Sequence, residues 1–267
     1  MAGEYIHGYD AREQERLIAQ AAFWRELILD QLELKPGERL LEVGCGAGAV
    51  LGVIGQAFPK AELYGIDIEP AQIERARQHL AAHHVQAKLQ SGEATLLPLP
   101  AGAFDHVFMM WFLEHLREAG PALAEAHRVL RPNGRITITE TDYNMVVHPE
   151  NADFDEFMRG WRQLFRERGN ATIARALGPA LLSAGFMEVR NRVWGFHLFV
   201  EPGDGSLRRM TNYVADFMEP ECEVIANGQG RDLHKLRNAM RYLRSLADRP
   251  DGAMTGTIYR ATAIKPN

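Results

Sequence analysis

Apolar residues in the first part of the chain recur at helical spacing. Across residues 10–34, Leu17, Ala21, Trp24, Ile28 and Leu32 fall three or four places apart, which marks one face of a helix. Asp10 suits its N-cap, and "KPGE" at 35–38 ends it. From residue 40 the pattern alternates. Short apolar runs at 40–43, 61–67, 85–90, 104–110 and 135–140 read as strands, the 85–90 run being the weakest. Between them helices are predicted over 47–58, closed by Pro59, over 69–84, with Pro70 in its first turn, and over 121–130. "RPNG" at 131–134 reads as a turn. Strands and helices taking turns in this way build a parallel, doubly wound α/β sheet with helices on both faces.

Beyond residue 141 the rhythm changes. Helices are predicted over 150–168 and 171–184, and strands over 188–200 and 255–264. The segment of about fifty residues between those strands carries two helical patterns, near 205–218 and 231–247. A structureless loop of that length is uncommon in a compact domain, so it reads as a helical insertion. One domain is expected: an N-terminal helical cover (1–36), a sheet core (37–200), the insertion (201–250) and the last strand (251–267).

Composition narrows the function classes. The chain has 267 residues, 46% apolar and 24% charged, with a net charge of −5. That balance supports a globular core and gives no basic stripe for nucleic acid. Two cysteines, Cys45 and Cys222, make neither a disulfide framework nor a paired metal spacing. The ten histidines show no metal-ligand spacing, so no metal is predicted. "MAGEYIHGYD" at the start lacks an apolar signal core, and no apolar run approaches the ~18 residues that would span a bilayer. A soluble, cytoplasmic protein with no membrane or nucleic-acid partner is expected.

The chemistry centres on "LLEVGCGAG", residues 40–48. Gly44 and Gly46 let the backbone bend and approach a ligand, while Gly48 or Ala49 allows close helix packing. Gly44, Gly46 and Ala49 also meet the relaxed dinucleotide spacing, a weak signal alone. Three acids discriminate. Asp67 ends the second strand, where an acid takes ribose hydroxyls. Glu93 follows the third strand, placed to accept from an exocyclic amine, and Glu42 faces the same crevice from the first. A pyrophosphate beside Glu42 would be repelled by on the order of a kcal/mol. A nucleoside that carries positive charge and no phosphate is favoured instead, and S-adenosylmethionine is such a molecule.

The segments "LLEVGCGAG", "YGIDIEP", "SGEATLLPLPAGAFDHVFMMWFLEHL" and "RVLRPNGRITITE", in this order over residues 40–140, resemble the class I S-adenosylmethionine-dependent methyltransferases with an 11-type, UbiE-like domain. The resemblance implies a Rossmann-like, mainly parallel seven-stranded sheet whose last strand is antiparallel. It also implies site roles. Gly44, Gly46 and Gly48 would pass beneath the methionine part, near Glu42, and Asp67 would bind the ribose diol. Ile68 would pack on adenine, Glu93 would meet its amine and the Ala94 amide its ring nitrogen, although the family more often has Asp at the Glu93 position. Met110 and Trp111 would line the methyl end. "YIHGYDAREQERLIAQA" is similar to a subset in which the first helix covers the cofactor, making Tyr5, Tyr9 and Gln20 candidates for closing the pocket.

Methyl transfer from a sulfonium is an in-line displacement that needs chiefly proximity and orientation, and a base only if the nucleophile arrives protonated. His115 in "FLEHL" and Tyr143 in "TETDYNMVVH" are the catalytic candidates, His115 as a proton acceptor and Tyr143 as a lining group. Against this, His115 has the option of capping a helix or holding a loop. Glu140 and Asp142 could orient a cationic amine, and His148 lies in the same stretch. Cys45 reads as a small apolar filler. Trp161 and Phe165, among four arginines in 158–168, read as a buried helix face rather than an RNA-stacking surface. Met210, Tyr213, Phe217 and Met218 in the insertion are predicted to supply a substrate lid over an aromatic or partly apolar small-molecule acceptor. A non-catalytic S-adenosylmethionine binder and a nicotinamide-dependent oxidoreductase are the alternatives.

Overall fold

A computed structural model describes residues 11–267, with side chains from Glu15 onward. Seven strands form one sheet in the order β3-β2-β1-β4-β5-β7-β6. They are β1 (Arg39–Val43), β2 (Glu62–Asp67), β3 (Ala87–Ser91), β4 (Phe104–Met110), β5 (Leu130–His148), β6 (Met187–Phe199) and β7 (Ala253–Ile264). The first five pair in parallel, and β7 runs antiparallel between β5 and β6. This is the Rossmann-like sheet expected from the sequence. Its central strands β1 and β4 are buried on both faces, which is why they read as unbroken apolar runs.

Helices cover both faces. On one side lie α1 (Ala11–Phe23), α2 (Arg25–Leu29), α3 (Ala49–Ala57) and α4 (Pro70–Ala82), in the same core as Leu40, Phe108 and Ile258. On the other, α5 (Gly120–Val129) and α7 (Ile173–Ser183) meet Leu41, Val43, Val107 and Ile138. Local chemistry sets the helix starts. Pro70 opens α4 behind Glu69, whose carboxylate accepts from Ala71 N at 3.3 Å. Asn151 caps α6 (Ala152–Arg168) by accepting from Phe154 N at 2.9 Å, and that helix carries acids in its first turn and arginines in its last. Three helices, α8 (Ser206–Met218), α9 (Glu221–Gln229) and α10 (Leu233–Ser245), fill the gap before β7, where the sequence showed two helical patterns. They share a core with α6, whose Trp161 and Phe165 are fully buried, so the RNA-stacking reading of that helix has no exposed rings to use.

Two boundaries differ from expectation. The N-terminal helix does not run on to residue 34. It breaks at Trp24, which turns inward among aromatic rings, and α2 ends at Leu29 because the buried Arg260 guanidinium donates to the carbonyls of Leu27 and Ile28. The fifth strand does not stop at Glu140. Pairing with β7 continues to His148↔Ala253, with a register shift between Asp142 and Val146. Glu140, Asp142 and Tyr143 therefore lie within β5 rather than in a loop after it.

Candidate active site

The glycine turn between β1 and α3 is built for close approach. Gly44, Gly46 and Gly48 have φ of 75°, 48° and 74°, the left-handed region that glycine tolerates best. A Cβ on Gly44 would lie 2.2 Å from the Phe112 ring, and one on Gly48 would lie 3.0 Å from Ala76 Cβ of α4. Gly44 therefore keeps the crevice narrow, and Gly48 seats α3 on α4. The Gly44 and Cys45 amides both donate to the Ile66 carbonyl, at 2.8 and 2.9 Å.

Asp67 ties this turn to the end of β2. One carboxylate oxygen accepts from Gly46 N at 2.9 Å and the other from Glu69 N at 3.0 Å. Each oxygen keeps a lone pair, so a diol can still be held. Glu42 lies deeper, 2% exposed, with one oxygen lacking any hydrogen-bond partner. Burial, and then the neighbouring Asp67, push its carboxyl well above the usual range. Burial thus biases Glu42 toward its neutral form, and a bound cation would favour the ionised one. Burial also raises the Cys45 thiol, which leaves it without nucleophilic character, in keeping with the filler reading.

A single cavity of about 700 Å³ runs from this turn to the helical insertion. Glu42, Gly44, Gly46, Asp67, Ile68, Glu93, Ala94, Met110 and Trp111 all line it, as do Gln20, His115 and Tyr143. Gly48 stands outside this lining, at the start of α3. Tyr5 and Tyr9 lie outside the described residues. Ile68 is half exposed at the rim, and Glu93 accepts from Thr95 Oγ1 at 2.7 Å. Trp111, at φ 50°, donates from Nε1 to Thr141 Oγ1 at 2.8 Å. Gln20 is buried in α1 and accepts from Arg16 at 2.6 Å, so that helix forms part of the wall.

The far chamber is aromatic. Trp24 lies 6.3 Å from Trp111, 6.2 Å from Phe196 and 6.1 Å from Tyr213, ring centre to ring centre. Met210, Tyr213, Phe217 and Met218 close it from α8.

The polar candidates sort differently from the sequence reading. Tyr143 is buried, and its hydroxyl donates to Glu114 Oε1 at 3.0 Å. Burial, and then the neighbouring Glu114, raise its phenol, so it keeps its proton and holds Glu114 in place. His115 borders the cavity, with Nε2 3.8 Å from Glu114 Oε1 and its ring 6.0 Å from that of Phe165. Glu140 does not face a ligand. It accepts from the Phe112 and Leu113 amides at 3.1 and 2.7 Å and so fixes the turn after β4. Asp142 is held by a two-pronged contact from Arg175 at 2.8 and 3.0 Å, and His148 is exposed and outside the cavity lining.

Glu114 and Phe196 are cavity residues that the pattern of the chain did not single out, and Trp24 was marked only as part of a helix face. For Glu114 the signal was present: an acid flanked by apolar residues in "FLEHL".

Comparison with known proteins agrees with this architecture. Residues 41–138 match the family model described as a methyltransferase domain. The chain is 33% identical over 135 residues to a demethylmenaquinone methyltransferase of Symbiobacterium thermophilum, covering 49% of this chain and 54% of that protein. It is 32% identical over 171 residues to an uncharacterized 37.1 kDa protein in transposon TN4556 of Streptomyces fradiae, covering 62% of this chain and 48% of that one. The chain thus spans about half the length of the curated relatives it matches. In fold it is similar to phosphoethanolamine N-methyltransferase 2 of Haemonchus contortus, solved with S-adenosylhomocysteine, at TM-score 0.60 and 15% identity over 95% of this chain and 58% of that one. Residues 41–138, which carry the glycine turn and Asp67, are thus similar to a methyltransferase domain, set in a sheet of the fold that solved methyltransferases share.

Proposed function

We propose that the protein transfers a methyl group from S-adenosylmethionine to a small, aromatic or largely apolar acceptor. The observation that carries this reading is the continuity of the cavity, which joins the glycine turn and Asp67 to an aromatic chamber. The donor set fits the cofactor. Asp67 retains lone pairs for a diol, Glu42 has an orphan buried oxygen for a cation, and Gly44 leaves the room that a side chain would fill. When bound, S-adenosylmethionine supplies an activated methyl group on a good leaving group. The chain then has to orient an acceptor and keep water out.

Ile68, Glu93 and Ala94 are assigned to the adenine end, Gly44, Gly46 and Glu42 to the methionine end, and Met110 and Trp111 to the junction with the acceptor. Gln20 belongs to the covering wall. His115 is the residue best placed to take a proton from a protic acceptor. The match of residues 41–138 to a methyltransferase domain weighs against a nicotinamide cofactor. The open far chamber weighs against a binder with no acceptor. The Symbiobacterium relative is by name a methyltransferase with a small-molecule acceptor, which agrees with the reading.

The test is methyl transfer from radiolabelled S-adenosylmethionine to a panel of bicyclic phenols, ketones and amines. Label in at least one organic product is expected, and transfer to none of them by protein that binds S-adenosylhomocysteine would favour the binder.

A further inference from the structure

Glu114 is a buried acid in the wall of the cavity. It is 3% exposed, it borders the cavity, and its Oε2 has no hydrogen-bond partner. Its other oxygen accepts from the Tyr143 hydroxyl. An unpaired buried polar atom is costly, and it persists where a ligand completes it.

The surroundings decide what kind of ligand. From β5, Tyr143 donates to Glu114 and Glu140 adds a second buried carboxyl. His115 follows it in the chain, Arg16 faces it from α1, and Arg162 of α6 donates to the Tyr143 carbonyl rather than to either acid. Burial first, and then Glu140, push the Glu114 carboxyl well above the usual range. Glu140 has two backbone amides to hold a negative charge, and Glu114 has one phenol. Of the two, Glu114 is the more strongly biased toward its protonated form. Because Oε1 already accepts from Tyr143, that proton sits on Oε2, where it has nothing to donate to.

We propose that Glu114 is a neutral hydrogen-bond donor that recognises a carbonyl oxygen on the methyl acceptor, held in place by Tyr143 and flanked by the aromatic wall. This rests on the methyltransferase reading and narrows its substrate class to small ring-bearing carbonyl compounds.

The test compares 1-tetralone with tetralin, a ketone and a hydrocarbon of nearly the same shape, and with the cationic 1-aminotetralin. Binding is followed by quenching of tryptophan fluorescence, since Trp24 and Trp111 line the cavity. The wild-type protein is expected to prefer the ketone to the hydrocarbon by about five- to tenfold, the range for one completed hydrogen bond. In Glu114→Leu the preference falls to about one, while S-adenosylhomocysteine still binds. In the infrared, the protonated-carboxyl absorption at neutral pH is expected to lose one component in Glu114→Gln, leaving those of the other buried acids.

A wild-type protein without ketone preference, a preference that survives Glu114→Leu, or tighter binding of the amine than of the ketone would each overturn the proposal. Failure of S-adenosylhomocysteine to bind the wild-type protein would instead strike at the methyltransferase reading, and the ketone preference can be measured without it.

Discussion

Glu140 shows how misleading a polar residue is when only its neighbours in sequence are known. Placed after an apparent strand end it looks available to a ligand, yet it is fully buried and occupied by two backbone amides. Glu140→Ala is expected to leave those amides unpaired and to cost about 2–3 kcal/mol of stability, measured by urea unfolding. Glu42, Glu114 and Glu140 are all pushed up by burial, Glu140 to about 8. A carboxyl raised in the folded state favours folding fully below its unfolded pKa of ~4.3, and that contribution is lost as pH rises through the folded value. The melting temperature of the unliganded protein is therefore expected to fall as pH rises from about 5 toward 8, and less steeply in Glu140→Gln. The glycine turn and Asp67 were legible from spacing because their chemistry is local. The pairing of Tyr143 with Glu114 was not, since it joins residues 29 apart through a register shift in β5 that no local pattern announces.

At the scale of elements, the break between α1 and α2 carries the most consequence. A continuous helix would satisfy the periodicity of Leu17, Ala21, Trp24, Ile28 and Leu32. Tertiary contacts override it: Trp24 turns toward Trp111, Trp194, Phe196 and Tyr213, and Arg260 from the last strand takes the carbonyls that end α2. Trp24 thus connects the N-terminal cover, the β6 strand and α8 around the aromatic chamber. Trp24→Ala is expected to cost about 3–5 kcal/mol in chemical denaturation. Trp24→Phe, which keeps an aromatic ring there, is expected to recover more than half of that. The alternation of strands and helices up to residue 140 was legible because each element repeats its own period. The third helix of the insertion was not, because α9 is nine residues long and its buried positions, Glu221, Cys222, Ile225 and Ala226, include a charge.

For the whole molecule, one sheet end collects everything the site needs. The parallel strands β1, β2 and β4 deliver Glu42, Asp67 and Met110 to their carboxyl ends, the position at which doubly wound sheets bind ligands. The N-terminal helix and the insertion then close over that end from two sides, so that cofactor crevice and acceptor chamber form one cavity. A fold of this kind hosts many reactions, so the sheet alone does not specify an acceptor. Calorimetric titration with S-adenosylmethionine and S-adenosylhomocysteine, on the wild-type protein and on Asp67→Asn, tests this account most directly. Both ligands are expected to bind the wild-type protein, and the amide variant is expected to lose at least tenfold in affinity while remaining folded. Binding of neither ligand by folded protein, or undiminished binding by Asp67→Asn, would contradict it.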